Sequence, residues 1–163
     1  MLLSKHSRRT VAALEIVTHL SDTTLAYLAG MIDGEGSIGV RRRDKPATRG
    51  DRARGLSYNL KISIAGEPNH LYNLRQDVGN LGSLYIRKRF GQRHLAEWII
   101  AHGQARLLAS RVMPFLRLKR RQVELLLEMP QFKSRWEVTP EIRQKQEAIR
   151  LEIKSLNKLG KGR

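Results

Sequence analysis

The chain has 163 residues, no cysteine, and 31 lysines and arginines against 15 aspartates and glutamates, which gives a net charge of +16. This length suits a single domain with its own hydrophobic core, and the lack of cysteine excludes disulfides and thiolate metal sites. So large a positive charge is typical of proteins that bind a polyphosphate. Nucleic acid is therefore the first partner to expect, and a surface that only aids solubility is the alternative.

Residues 1–20 are predicted to form an N-terminal extension that holds a short helix. Basic residues precede the apolar run 11–17, as they would in a signal peptide. Glu15 interrupts that run, however, and no small-residue cleavage site follows it. No other stretch approaches the length of a membrane span. We therefore expect an intracellular protein that does not act at a membrane.

The first main helix is predicted to begin after Ser21, because serine is a residue type that caps helix N-termini. Leu25, Leu28 and Ile32 then follow at helical spacing and form one apolar stripe, which is expected to face the core. Gly34 and Gly36 are expected to break this helix.

A second face of this helix is nearly bare of side chains. Ala26, Gly30 and Gly34 are spaced four residues apart, so they lie in one row, and another backbone could approach that row closely. At the helix end, Glu35 places a carboxylate beside the partial negative charge of the helix C-terminus. That position favours a bound cation, and we expect a metal ion.

Four strands in two hairpins are predicted next, with a helix from Pro68 to Gly79 between the hairpins. In each hairpin, apolar side chains alternate with polar and largely basic ones, so one face of the sheet packs on the core and the other faces outward. The residues expected on the outward face include Ser37, Arg41, Arg43, Asn59, Lys61, Tyr85, Arg87, Arg89 and Glu97.

This outward face is too cationic to pack against a core, and it needs an anionic ligand. A two-stranded ribbon fits the major groove of B-DNA, where Arg, Lys and Asn read guanine and adenine edges. Glu97 could orient Arg87 or accept a hydrogen bond from cytosine. A face that is only solvated, as antiparallel sheets commonly have, is the alternative. We expect sequence-specific binding of duplex DNA.

Helical patterns return between residues 103 and 128 and again after Thr139, with Pro130 between them. The whole order predicts an α+β fold, in which a four-stranded antiparallel sheet is backed by helices on one face and further helices follow at the C-terminus. We expect one domain, with its core in residues 21–130 and a C-terminal helical tail in residues 131–163.

Residues 28–36, which read LAGMIDGEG, resemble the signature of the LAGLIDADG homing endonucleases. They differ from it only at Met31, Gly34 and Glu35, each time by a substitution of a kind that the family uses. The αββαββα order across roughly residues 22–128 also resembles the family fold. A second segment, PFLRLKRRQ, is similar to the one that carries a basic residue of the family site.

The resemblance implies a homodimer, because this chain carries a single copy of the motif. The two motif helices would cross at a seam built on Ala26, Ala29, Gly30 and Asp33. Twofold symmetry would then bring two Glu35 carboxylates together at the base of the seam, where divalent cations would bridge them.

The resemblance also implies roles for individual residues. Glu35 matches the metal-binding acid, and the Gly34 backbone carbonyl would be a further ligand of Mg²⁺ or Mn²⁺, whereas Ca²⁺ is expected to bind without cleavage. Lys119 matches the basic residue near the scissile phosphate, where it would stabilise developing negative charge, and a simple phosphate contact is the alternative. Independently of the resemblance, Arg117, Arg120 and Arg121 are expected to contact backbone phosphates.

One residue of the family pattern is not placed by the sequence. The family often has a polar residue near the end of the second strand, where it holds an active-site water. The candidates here lie between Ser63 and Glu67, and the sequence does not distinguish them.

The expected function is that of a homodimeric, Mg²⁺-dependent homing endonuclease that binds a long pseudo-palindromic DNA site. By resemblance it would cut both strands to leave 3′ overhangs and would be encoded in an intron, and no small-molecule substrate is expected. Two alternatives stay open: an RNA-splicing maturase on the same scaffold, and a non-catalytic nucleic-acid-binding protein. In the second alternative, both acids of the motif, Asp33 and Glu35, and also Lys119 would be dispensable.

Overall fold

The computed structural model describes residues 15–44, 56–87, 94–131 and 138–159. Residues 15–19 form a short helical segment. The main elements that follow are α1 Asp22–Glu35, β1 Gly36–Arg43, β2 Ser57–Gly66, α2 Pro68–Asp77, β3 Ser83–Arg87, β4 Leu95–Ala101, α3 His102–Val112, a 3-10 turn Met113–Phe115, α4 Arg120–Glu128 and α5 Pro140–Leu159. The predicted α+β order is confirmed.

The four strands form one antiparallel sheet in the order β1-β2-β4-β3. Both predicted hairpins are therefore confirmed, and β1 and β3 are the edge strands. One face of the sheet packs on the core, where Ile62 and Trp98 are fully buried. The Trp98 indole N–H donates to the Leu81 carbonyl over 2.7 Å, so this large side chain is buried with its polar atom satisfied.

Helix α1 packs its predicted apolar stripe against the core. The Ser21 hydroxyl accepts a hydrogen bond from the Thr24 backbone N–H and caps the helix, as expected. Leu25, Leu28 and Ile32 expose 1%, 0% and 0% of their surface. Burial of a leucine or isoleucine side chain contributes about 1.5–3 kcal/mol, so these three residues hold α1 firmly beneath the sheet.

Gly36 lets α1 lead directly into β1. Its backbone N–H donates to the Ile32 carbonyl at the helix end. A Cβ atom at Gly36 would lie 2.5 Å from the Ile32 carbonyl oxygen and 2.6 Å from the Ile32 Cα atom. Because those are backbone atoms that cannot move aside, the passage from helix to strand requires glycine.

The hydrophobic core extends into both segments that flank residues 21–130. Val17, in the helical segment at residues 15–19, is fully buried in the core. Ile149 and Ile153 of α5 expose 5% and 1% of their surface and belong to the same cluster. Both flanking segments thus contribute to the folded domain. None of the described helices has the length and apolar character needed to span a membrane.

Candidate active site and nucleic-acid interface

Glu35 is the last residue of α1, and its exposed carboxylate lines a cleft of about 300 Å³. The cleft is formed where the C-terminal end of α1 meets the outward face of the sheet, and Ser37, Arg87 and Glu97 also line it. No residue among those described donates a hydrogen bond to Glu35. Its carboxylate oxygens are therefore available to a ligand.

Lys119 supplies a cation at the C-terminus of α1. Its Nζ atom donates to the carbonyl oxygens of Ile32 and Asp33, in both cases over 2.7 Å. Burial lowers the pKa of Lys119, and the negative charges of Asp33 and Glu35 act in the opposite direction. The sequence predicts a cation at this helix end, and a metal ion was the cation expected there. Within the chain, the lysine ammonium group takes that position and offsets the helix dipole.

Asp33 holds the segment that carries Lys119. Its carboxylate accepts hydrogen bonds from the backbone N–H groups of Arg117, Leu118 and Lys119, over 2.8, 3.2 and 2.9 Å. The resemblance to the family predicts that Asp33 lies at a seam between two chains. In the structure its carboxylate is occupied by these three bonds within its own chain, so Asp33 fixes Lys119 against α1.

The row of small residues on α1 is exposed, as the spacing predicted. Ala26, Gly30 and Gly34 all face solvent, and a Cβ atom at either glycine would find nothing within 4 Å. Ala29 differs from the expectation, because it is fully buried in the core of its own chain. It lies four residues after Leu25, so it belongs to the apolar stripe and its side chain is not part of the exposed row.

Glu97 binds two basic side chains on the outward face of the sheet. Lys61 Nζ donates to Glu97 Oε1 over 2.8 Å, and the Arg87 guanidinium donates to Oε2 of the same carboxylate. The hydrogen bond from Lys61 and the charges of both cations outweigh burial and lower the pKa of Glu97. A contact between Glu97 and Arg87 was predicted from the sequence. In the structure Glu97 contacts both Arg87 and Lys61.

The other residues predicted to contact DNA lie on accessible surface. Asn59 is half-buried opposite Arg41 in the β1–β2 register. Arg120 is exposed and lies 3.3 Å from Glu124, an i,i+4 ion pair on α4. Arg89 lies outside the described residues. The exposed members of the predicted set are Ser37, Arg41, Arg43, Tyr85, Arg87, Arg117 and Arg120.

Of the candidates between Ser63 and Glu67, Ser63 is the one whose polar side chain lines the cleft beside Glu35. It pairs with Ser37 in the β1–β2 register, and both line the cleft beside Glu35. Ile64 is buried in the core, and the Glu67 side chain accepts from the His70 backbone N–H at the start of α2. The period of two in β2 was the available signal, because it places Ser63 on the same face as Lys61.

No three His, Asp or Glu side chains lie close enough together to hold a metal ion within the ranges that the structure describes. A single chain thus brings one free acidic side chain, Glu35, to the C-terminal end of α1, together with the backbone carbonyls of that helix end.

No family model and no curated protein matches this sequence. The structure, in contrast, is similar to many solved chains. The archaeal intron-encoded homing endonuclease I-Vdi141I, complexed with DNA, has a TM-score of 0.64 and 16% identity over 83% of this chain and 84% of its own. The homing endonuclease I-CvuI, in complex with its target in 2 mM Ca, has a TM-score of 0.63 and 20% identity over 82% of both chains.

A further similar structure is that of the LAGLIDADG homing endonuclease I-GzeII in complex with its DNA target. It has a TM-score of 0.58 and 17% identity, and the match covers 77% of this chain but 43% of that longer chain. The chain described here has the LAGLIDADG homing endonuclease fold. The fold expected from the motif at residues 28–36 is thereby confirmed.

Proposed function

We propose that this chain is a homing endonuclease that binds a long pseudo-palindromic DNA duplex as a homodimer and breaks both strands in a metal-dependent reaction. One observation carries the proposal: the free carboxylate of Glu35 and the fixed ammonium of Lys119 meet at the C-terminus of α1, beside a basic sheet face. The similar proteins named above were solved with DNA, which supports the choice of substrate. We further propose 3′ overhangs and an intron-encoded gene.

The exposed row on α1 supports the homodimer. Because Ala26, Gly30 and Gly34 present almost no side chain, the same row of a second copy could pack backbone against backbone there. A twofold axis through that contact would set the two Glu35 carboxylates side by side, one from each chain. Among the described residues, each chain alone offers one acidic side chain at this point whose carboxylate accepts no hydrogen bond, so the dimer would complete the site.

The residues present fit a hard divalent cation. All the groups on offer are oxygens, namely the Glu35 carboxylate and backbone carbonyls such as that of Gly34, and oxygen ligands are what Mg²⁺ and Mn²⁺ prefer. When bound, the ion would supply Lewis acidity at the scissile phosphodiester. Ca²⁺ is expected to occupy the same ligands without supporting cleavage.

Lys119 would act on the phosphate from a fixed position. Two of the three donors of its ammonium group are taken by the Ile32 and Asp33 carbonyls, which leaves one donor for a phosphate oxygen or a water. The Asp33 carboxylate fixes the backbone of Lys119 at the same time. A charge held in advance can stabilise negative charge as it develops, with little reorganisation during the reaction.

The proposal is tested by Glu35→Gln, assayed on a duplex that carries the uninterrupted insertion site, with and without Mg²⁺. The substitution keeps the size of the side chain and removes the charge that would bind the cation. We expect cleavage to be abolished while binding to the duplex is retained.

The matched control is Glu128→Gln, at the far end of α4, which makes the same chemical change on the surface and should leave cleavage intact. Cleavage by the Glu35→Gln variant would refute the metal assignment. Wild-type protein that binds the intron RNA and never cuts DNA would favour the maturase, and binding of DNA without any cutting would favour a non-catalytic protein.

A further inference from the structure

The last helix, α5, runs along the free edge of the sheet. The Tyr58 hydroxyl of β2 donates to Glu147 over 2.8 Å, and Arg42 of β1 lies 3.6 Å from the same carboxylate. Asn157 Nδ2 donates to the Ile38 carbonyl oxygen over 2.7 Å. These contacts are about 15 Å apart along the helix and about 13 Å apart along β1. Helix α5 is therefore aligned antiparallel to β1, beside its outer edge.

Two lysines continue the row on α5 that begins at Glu147. Lys154 follows Glu147 by about two helical turns, and Lys158 follows Lys154 by about one more, so the three side chains share one face of the helix. Glu147 is ionised, and its negative charge is already balanced within the chain. Hydrogen bonds from Arg150 and Tyr58 lower its pKa to about 2, and Arg42 lies 3.6 Å away. Lys154 and Lys158 are exposed and pair with no acid in the described part of the chain.

We propose that Lys154 and Lys158 bind backbone phosphates of the same DNA duplex that lies on the outward face of the sheet. This inference rests on the DNA binding in the proposed function. The row on α5 lies beside β1, whose outward side chains include Arg41 and Arg43, so the positive surface continues around the sheet edge onto the helix.

The charge of the lysine row on α5 indicates which ligand binds to it. Two neighbouring ammonium groups without an acidic partner match a polyphosphate backbone, and the duplex is the polyphosphate that the adjacent strand would already hold. Lysine binds phosphate as a point charge and does not fix a base in register. The contacts from α5 therefore add affinity for DNA and contribute no sequence preference.

The test is the salt dependence of duplex binding by the Lys154→Ala/Lys158→Ala double variant. Each phosphate contact adds about 0.9 to the slope of log affinity against log salt concentration, so the double variant should reduce the slope by about 2 between about 50 and 200 mM salt. The affinity should fall equally for the target duplex and for a duplex of arbitrary sequence, because neither lysine reads a base.

The matched control lies on the same helix. Lys145 is exposed and precedes Lys154 by about two and a half turns, so it points to the opposite side of α5. Lys145→Ala should leave the slope unchanged, whereas Lys154→Ala should lower it by about 1 and Lys154→Arg should restore it. Equal slopes for the Lys145→Ala and Lys154→Ala variants would overturn the inference, as would a loss of affinity confined to the target sequence.

Binding to a duplex of arbitrary sequence requires neither metal nor Glu35, so the test is independent of cleavage. If the salt slope of duplex binding depends on Lys154 and Lys158 but the protein cuts no DNA, the proposed endonuclease activity is refuted and the phosphate contact from α5 is supported. A protein that cuts its target with a slope unaffected by both lysines would refute only the contact. Failure of the wild type to bind any duplex would overturn both.

Discussion

The C-terminal end of α1 and the outward face of the sheet both carry charged residues, but they hold them by different kinds of contact. At the helix end, each hydrogen bond to Asp33 or from the Lys119 ammonium has a backbone group as its partner. On the sheet, Lys61 and Arg87 each donate a hydrogen bond from their side chains to the side chain of Glu97. Backbone groups cannot leave their positions, whereas side chains on a surface can exchange partners.

This difference matches the two tasks of the proposed endonuclease. A site that stabilises a transition state gains from charges that are already in place, because no reorganisation is then needed. A surface that reads DNA must be able to adjust its own contacts when bases and phosphates arrive. Surface ion pairs contribute only about 0–1 kcal/mol, so Lys61 and Arg87 can leave Glu97 at little cost.

Among the substitutions that test this comparison, the largest effect is expected from Lys119→Met, which removes the fixed ammonium group and keeps most of the apolar stem. Loss of one preorganised charge at such a site typically slows the reaction about 100- to 1000-fold, or about 3–4 kcal/mol. We expect a fall of this size in the single-turnover cleavage rate, with duplex affinity nearly unchanged.

Urea unfolding of the same variant gives the control, since the loss of two hydrogen bonds to carbonyls also lowers stability. The assay is run where the variant is fully folded. An unchanged single-turnover rate would show that Lys119 has a structural role only. The fixed charges at the helix end would then have no demonstrated role in catalysis.

The sequence predicted the local features of this site well and its long-range contacts poorly. The position of Glu35 at a helix end, the exposed row on α1 and the period of two on the sheet all follow from short spacings in the chain. The bonds from Asp33 to residues 117–119 join segments about 84 residues apart, and no periodicity encodes them. The bond from Asn157 to Ile38, which aligns α5 with β1, spans 119 residues.

At Ala29, the helical spacing was sufficient to predict burial in the core, but the family resemblance was followed instead. Ala29 lies four residues after Leu25 and so shares its side of the helix, but the predicted stripe contained only Leu25, Leu28 and Ile32, and the resemblance to the family placed Ala29 at the dimer seam. In the structure Ala29 is fully buried within its own chain. Side-chain size alone could not separate the two positions, since alanine suits both a close helix contact and a packed core.

An intermediate effect is expected from Gly36→Ala, which tests the fixed geometry at the helix end without changing any charge. The new Cβ atom would lie 2.5 Å from the Ile32 carbonyl oxygen, and relief of that clash would shift the carbonyl that Lys119 contacts. Overpacking of this kind costs about 1–3 kcal/mol, measurable as a lower free energy of unfolding in urea.

Gly34→Ala is the matched comparison, because a Cβ atom there meets nothing within 4 Å in the single chain. It should leave the unfolding free energy of the monomer unchanged or raise it by about 0.5–1 kcal/mol, as expected for a helical glycine. If α1 pairs with a second copy, the same variant should weaken the dimer in sedimentation experiments. A monomer equally destabilised by both substitutions would contradict the assigned geometry.

The smallest effect is expected from Glu97→Gln, which addresses the exchangeable contacts on the sheet. Without the charge that holds them, Lys61 and Arg87 should sample more orientations, and discrimination at the base pairs that they contact should fall by about 1 kcal/mol, or roughly fivefold. The measurement compares affinities for the target and for duplexes with single base-pair changes. Lys61→Ala and Arg87→Ala identify which base pairs belong to each cation. If Glu97→Gln relaxes discrimination at the base pairs of Lys61 and at those of Arg87, Glu97 is a positioning residue. If it relaxes discrimination only at a base pair that neither cation contacts, Glu97 reads cytosine itself, and its contacts with Lys61 and Arg87 do not orient them.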